Sequence, residues 1–246
     1  MERKHFLKSL LVGAAAGPAL LTACKKADTV TPAGTSTSTG TTTTTTGGSS
    51  SASCTVAPTE TEGPFPTHTP ASYVRSDITD GRTGYKLTAN ITISNSNGGC
   101  AALAGVLVDI WHCDAEGNYS EYGGSGMQST NYTSVHFLRG RQTTNGSGVA
   151  SFTSIFPGWY SGRATHIHVH VYSASGQSLK VTQIAFPEGT GTALAAVNGY
   201  AKGMTGYTYN KSDNVFSDDT AGVEIATVTG STTAGFVLTM NIAVPA

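Results

Sequence analysis

From residue 87 to residue 94 the chain reads Leu-Thr-Ala-Asn-Ile-Thr-Ile-Ser, with every odd position apolar and every even one polar. Period two is the mark of a strand with one buried face, so this segment is expected as β rather than as an amphipathic helix. The pattern recurs. Residues 106–112 predict a second strand and residues 152–156 a short third. In 166–172, His166, His168, His170 and Tyr172 alternate with Ile167, Val169 and Val171. Further strands are expected at 179–186, 223–229 and 236–244, between turns rich in Gly, Asn and Ser. Residues 191–203 are the best candidate for a helix, and a short one. The 30 glycines, with abundant Thr and Ser and few Lys and Glu, fit strands and turns. Many strands at short spacing predict an all-β fold, an antiparallel sandwich.

The alternation starts late in the chain. Residues 1–24 read as a targeting segment: Arg3 and Lys4 give a positive start, and an apolar, small-residue run ends in Leu21-Thr22-Ala23-Cys24. That ending resembles the lipobox of bacterial lipoproteins, whose cysteine is lipidated and becomes the new N-terminus. The run is too short and too rich in Gly and Ala for a spanning helix. Arg3-Lys4-His5-Phe6-Leu7-Lys8 also resembles a relaxed twin-arginine signal, with Lys4 in place of the second arginine. Residues 25–53 are Thr, Ser, Gly and Ala with almost no large apolar side chain, and are expected to be a disordered tether. Residues 54–246 remain as one domain, large enough to close a single core. A lipid on Cys24 followed by a tether predicts an exported domain held at the bacterial envelope, with the membrane and its face left open. The formal net charge of −1 gives no electrostatic reason to expect nucleic acid as a partner.

With Cys24 assigned to lipid, Cys54, Cys100 and Cys113 remain, an odd number that allows at most one intrachain disulfide. Cys100 and Cys113 flank one strand segment and are the first choice, which leaves Cys54 spare. No CxxC spacing suggests a thiolate metal site.

The chemistry is concentrated around His166-Ile167-His168. Period two sends both imidazoles to one strand face, close enough to hold one metal from two corners. Alone, such a pair is better explained by a solvated strand face. His170 shares the alternation but lies one repeat too far. Immediately upstream, Pro157-Gly158-Trp159-Tyr160-Ser161-Gly162-Arg163 is a turn that brings a tyrosine and an arginine beside the pair. Earlier, the strand ending in Trp111-His112-Cys113-Asp114 runs into a Gly-containing loop that carries Tyr119, at a strand end where functional side chains tend to lie. Taken singly, each tyrosine is better read as a packed aromatic or turn residue. A zinc hydrolase built on the histidines would need a third ligand and a carboxylate base. Asp114 and Glu116 are the nearby acids, and Asp114 is better read as a turn cap.

Together these segments resemble the intradiol ring-cleavage dioxygenases. The resemblance spans most of residues 59–220. It rests on Thr61-Glu62-Gly63-Pro64-Phe65, on 108–115 (Val-Asp-Ile-Trp-His-Cys-Asp-Ala) with Gly117 and Tyr119, and on Phe137-Leu138-Arg139-Gly140. Pro157-Gly158-Trp159-Tyr160 and Arg163 with His166-Ile167-His168 complete it. It implies a β-sandwich of prealbumin-like or immunoglobulin-like type. It also implies a non-haem iron(III) centre ligated by Tyr119, Tyr160, His166 and His168, with Tyr160 and His166 axial and Tyr119 and His168 equatorial. Tyr160 would be the ligand that leaves when substrate enters. Arg163 and Gln183 would flank the bound ring, Arg163 offsetting its negative charge. The implied partners are a catecholic small molecule and O2, and the implied product is a muconate-type diacid. Iron(III) is a hard cation that favours anionic oxygen ligands, which is why tyrosines suit it. Only Ser161 to Thr165 separates Tyr160 from the histidines, shorter than in the best-known cytoplasmic members, so a more open pocket is expected. The long N-terminal helical dimerisation region of the catechol enzymes has no counterpart. Substrate identity and oligomeric state are left open. The other reading is a lipid-anchored sandwich that binds phenolic or polymeric ligands without turnover.

Overall fold

In the computed structural model the described residues are 54–246; the expected targeting segment with Cys24 and the expected tether fall outside them. Nine strands run in the order β1 (Lys86–Asn95), β2 (Ala101–Ala102), β3 (Leu107–Trp111), β4 (Arg139–Thr143), β5 (Val149–Ile155), β6 (His166–Tyr172), β7 (Ser178–Ala185), β8 (Thr227–Ser231) and β9 (Gly235–Val244), with one short helix, α1 (Ala193–Val197), between β7 and β8. Among the described residues no helix is long and apolar enough to cross a membrane.

The strands form two sheets. One has the order β2-β1-β9-β8, with β5 also paired to β1; the other has the order β4-β3-β6-β7. Alternation fixes which side chains each sheet turns inward. Leu87, Ala89, Ile91 and Ile93 of β1, Phe152 of β5, and Phe236, Leu238 and Ile242 of β9 share one buried cluster with Val108 and Ile110 of β3 and Ile167, Val169 and Val171 of β6. This is an all-β sandwich. Its pairs are antiparallel except β1 with β9, which run parallel. Alternation specifies the buried face of a strand but not the direction of its neighbour.

Two strands carry no sequence signal. β2 is two residues long, and β4 (Arg-Gly-Arg-Gln-Thr) has no apolar alternation. Gly140 and Gln142 face inward, opposite Ile110 and Val108, and at Gly140 a Cβ would strike the Ile78 side chain. The helix expected at 191–203 is broken by left-handed residues at Asn198 and Gly199, so α1 is followed by a separate 3-10 turn. The strand expected at 223–229 is shifted. Residues 224–226 instead lie against the end of β7, with Ala185 N donating to Glu224 O and Ala226 N to Ala185 O.

The disulfide joins Cys54 to Cys100, not Cys100 to Cys113; Cys113 is free and buried. The expected pair fails for a geometric reason. Two cysteines that flank one strand sit at its opposite ends, about 3.3 Å apart per intervening residue, well beyond the Cα spacing a disulfide tolerates.

Candidate metal centre

The register of the second sheet aligns four side chains on its outer face. Trp111 of β3 stands opposite Arg139 of β4 and His168 of β6, and His168 stands opposite Gln183 of β7. Facing residues on antiparallel neighbours point the same way, so Arg139, Trp111, His168 and Gln183 form one row across the sheet. His166 lies one pleat away on the same face. The intervening Ile167 is in the core.

Two loops close over this row. Asp114 shapes the first: its Oδ1 accepts from Glu116 N at 3.0 Å and Asn118 N at 2.9 Å, the turn-capping role read from sequence. Gly117 has φ +92°, and a Cβ there would strike the Trp159 carbonyl, so the first loop can lie directly on the second. Tyr119 is then held by an amide clamp. Gln128 Oε1 accepts from Tyr119 N at 2.6 Å, and its Nε2 donates to Tyr119 O at 2.8 Å, Tyr122 O at 2.9 Å and Thr130 O at 3.1 Å. The side chain of Gln128 thus does for Tyr119 what a neighbouring strand would do. Buried Arg139 secures the same segment from below, donating to Ser120 O, Ser120 Oγ and Phe65 O. The second loop carries Tyr160. Lys202 donates to Trp159 O at 2.9 Å, and Trp159 Nε1 donates to Gly203 O at 2.9 Å.

The four predicted donors come together. Tyr119 Oη lies 3.2 Å from His166 Nε2, which lies 3.1 Å from His168 Nε2. The Tyr160 ring stands edge-on to both Tyr119 and His166, at 5.8 and 5.7 Å between centroids. His166 Nδ1 pairs with Ala164 O at 2.6 Å. A carbonyl only accepts, so Nδ1 carries the proton and Nε2 presents its lone pair to the other donors. His168 Nδ1 has no hydrogen-bond partner although it is buried. Burial pushes His166 down to about 3 and His168 well below the usual histidine range, so both rings are neutral. It pushes the Tyr119 phenol well up, and the half-buried Tyr160 phenol also rises, though Arg163 pulls against the shift.

Neutral imidazole lone pairs and dry phenols fit a hard cation, whose charge would ionise the phenols that burial keeps protonated. Among the described residues no group of three or more His, Cys, Asp or Glu converges in this way, so any metal held by the histidine pair must draw on tyrosine.

Arg163 and Gln183 also meet at this face. Arg163 Nη2 donates to Gln183 Oε1 at 2.7 Å, and Gln183 Nε2 donates to Thr61 O at 2.9 Å. His170 shares the face but engages Glu62, Ser178 and Tyr172 instead. Gln128 and Asp213 were not apparent from sequence, and Phe65 stood only within a matching segment, with no role. Phe65 stacks on Tyr119 at 4.6 Å, and Asp213 pairs with Arg163. Each lies at least nine residues from the nearest of the four donors, and no spacing rule links a loop Gln or Asp to a remote site.

A family model described as Dioxygenase matches residues 62–214. Among solved structures, an intradiol ring-cleavage dioxygenase from Tetranychus urticae is 28% identical, with a TM-score of 0.68 over 78% of this chain and 96% of that one. The dioxygenase domain of a dioxygenase–carbohydrate-binding protein fusion from Streptomyces sp. SirexAA-E is 25% identical, with a TM-score of 0.54 over 77% and 97%. The 3-chlorocatechol 1,2-dioxygenase of Rhodococcus opacus 1CP, at 18% identity, shares the fold with a TM-score of 0.52 over 76% and 72%. No curated protein sequence matches.

Proposed function

This chain belongs to the intradiol ring-cleavage dioxygenase family, and from that membership we propose that it is a non-haem iron(III) enzyme. It cleaves catechol-type rings with O2 between the two hydroxyl-bearing carbons, giving muconate-type diacids. The observation that carries the reading is the convergence of Tyr119 Oη, His166 Nε2 and His168 Nε2 within 3.2 Å contacts, with the Tyr160 ring beside them. These four residues are the ligands we assign.

Bound there, iron(III) would supply the Lewis acidity that favours a deprotonated catechol and the redox access that opens its ring to O2. The chain supplies the rest. Tyr160 is the half-buried member of the set, followed by the exposed Ser161 and Gly162, so it can leave without disturbing the sheet. Its Oη is the atom that takes up a catechol proton as substrate enters. Tyr119, fully buried and clamped by Gln128, stays in place. Arg163 offsets the negative charge on the ring, a preorganised electrostatic role. Gln183 fixes the guanidinium from the β7 side.

The test is optical and respirometric. Iron(III) bound by tyrosinate absorbs in the visible, so the iron-loaded protein should be red-brown and should consume O2 with catechols. Tyr119→Phe should bleach much of the band and lower O2 uptake at least 100-fold, on the order of removing one reacting-centre contact. A colourless wild type that binds zinc but not iron would sink the assignment. Binding of phenolics without O2 uptake would favour the non-catalytic module. Simple, carboxylated and hydroxylated catechols compared in the same assay identify the substrate.

The export reading belongs with this function. Residues 1–24 are proposed as a lipoprotein signal, Cys24 as the lipid site, 25–53 as the tether and 54–246 as the working domain. The Cys54–Cys100 disulfide suits an oxidising compartment outside the cytoplasm. Incorporation of a labelled fatty acid that persists in Cys24→Ser would refute the anchor.

A further inference from the structure

Arg163 is a buried cation, and the way it is held singles out a residue outside the expected site. We propose that Asp213 is a positioning residue that sets the Arg163 guanidinium for ring cleavage; this rests on the dioxygenase reading above.

Arg163 Nε donates to both oxygens of Asp213, at 2.9 Å to Oδ2 and 3.2 Å to Oδ1. The carboxylate is wholly buried. A carboxylate removed from water persists as an anion only if paired and fully hydrogen-bonded. Asp213 meets that condition: beyond Arg163, its Oδ2 accepts from Ala164 N at 2.6 Å and its Oδ1 from Val215 N at 2.8 Å. One residue therefore grips the side chain of Arg163 and the backbone immediately after it.

The other contacts of Arg163 complete a fixed orientation. Nη2 is bound to Gln183 Oε1, and the Gln183 amide cannot flip, because its Nε2 is committed to Thr61 O. Phe216, three residues after Asp213, places its ring 5.7 Å from the guanidinium carbon. With the Nε edge on Asp213 and Nη2 on Gln183, two edges of the guanidinium are fixed, and its charge acts on the Tyr160 phenol, which it holds down against burial. Tyr160 is the ligand assigned to leave when a catechol enters, so the guanidinium is already set beside the place the ring takes. Asp213 thus fixes which donor of Arg163 faces the ring, and it touches neither the ring nor the metal donors. An asparagine could not replace it, since in either orientation its NH2 would face a backbone donor, Ala164 N–H or Val215 N–H.

A double-mutant cycle over wild type, D213N, R163A and R163A/D213N tests this, read in kcat, in the visible tyrosinate band and in metal-free melting temperature. D213N is expected to lower kcat by about 100-fold, the usual scale of a reacting group misplaced by an ångström, and to keep the resting visible band. In the R163A background D213N should lower kcat by less than about threefold, and the two melting shifts should be non-additive without metal. D213E, which keeps the charge but moves it, should fall between wild type and D213N and serves if D213N does not fold. Equal kcat losses from D213N with and without Arg163, an unchanged kcat, or loss of the resting band would each overturn the proposal. If wild type is coloured and active while the cycle is additive, only this inference fails. A wild type with neither colour nor turnover removes both.

Discussion

The indole of Trp111 lies flat against the imidazole of His168, with centroids 4.9 Å apart and planes 3° from parallel. The two histidines of the site are therefore held by different forces. His166 is fixed by a hydrogen bond from Nδ1 to the Ala164 carbonyl. His168 Nδ1 has no such partner, and its ring is packed between the Trp111 face and Gly63, where an added Cβ would come within 2.9 Å of Cε1.

Replacing Trp111 should therefore loosen one imidazole and spare the other. Trp111→Leu is expected to weaken iron binding by about 10–100-fold, the usual effect of removing a group that orients a ligand. Trp111→Phe, which keeps a flat ring, should lose much less. Competition against a chelator measures both. Equal affinities for Leu and wild type would show that the stack does not orient His168.

Glu224 predicts an unusual pH dependence of stability. Burial pushes its carboxyl up to about 8, with repulsion from Glu60 and Asp219 adding to the shift. The folded protein thus keeps a proton that the unfolded chain, near the ordinary 4.5, has already released. Its contribution to stability is complete below that ordinary value and is lost as pH rises toward 8. Glu224→Gln mimics the protonated form. It should match wild type at low pH and exceed it increasingly through the window, by at most about 1.4 kcal/mol per pH unit. Urea unfolding of both proteins across this range is the measurement; parallel curves would show that Glu224 is ionised in the fold.

The Cys54–Cys100 bond closes a loop of 46 residues in sequence separation. In the chain-entropy treatment such a closure contributes about 4 kcal/mol. A protein with both cysteines changed to serine should lose stability on that scale by urea unfolding. Proteolytic mapping under non-reducing conditions should recover the peptide of Cys54 joined to that of Cys100, with Cys113 alkylated only after denaturation. A Cys100–Cys113 peptide would contradict the pairing.

How much of this was legible in the sequence follows from the kind of signal each feature leaves. β1 and β6 were readable because one buried face imposes period two, and 166–172 coincides with β6 to the residue. The meeting of Tyr119 with the histidines was anticipated only through resemblance, because it depends on two loops packing across the fold. β4 was invisible because its inward positions are Gly140 and Gln142 and its outward ones are Arg139, Arg141 and Thr143, so no apolar residue marks either face. The parallel pairing of β1 with β9 and the partner of Cys54 were invisible for a related reason. Both join segments far apart in sequence, and no local periodicity records a distant neighbour. Gln128 and Asp213 are the same case at the site: Gln128 holds the backbone of Tyr119 and Asp213 the side chain of Arg163, pairings that no local spacing announces.

The disulfide also decides how the domain bears a pull at its N-terminal end. Load entering at residue 54 divides between the covalent link into the β1–β2 corner and the short bridge of Val56 to Ala243 on β9. The stretch beyond it, which includes the Thr61 carbonyl that orients Gln183 and the Phe65 ring against Tyr119, is sheltered from that force. Drag on the domain would be borne by the sheet that does not carry the histidines, and the geometry over the proposed metal donors would be mechanically isolated from it.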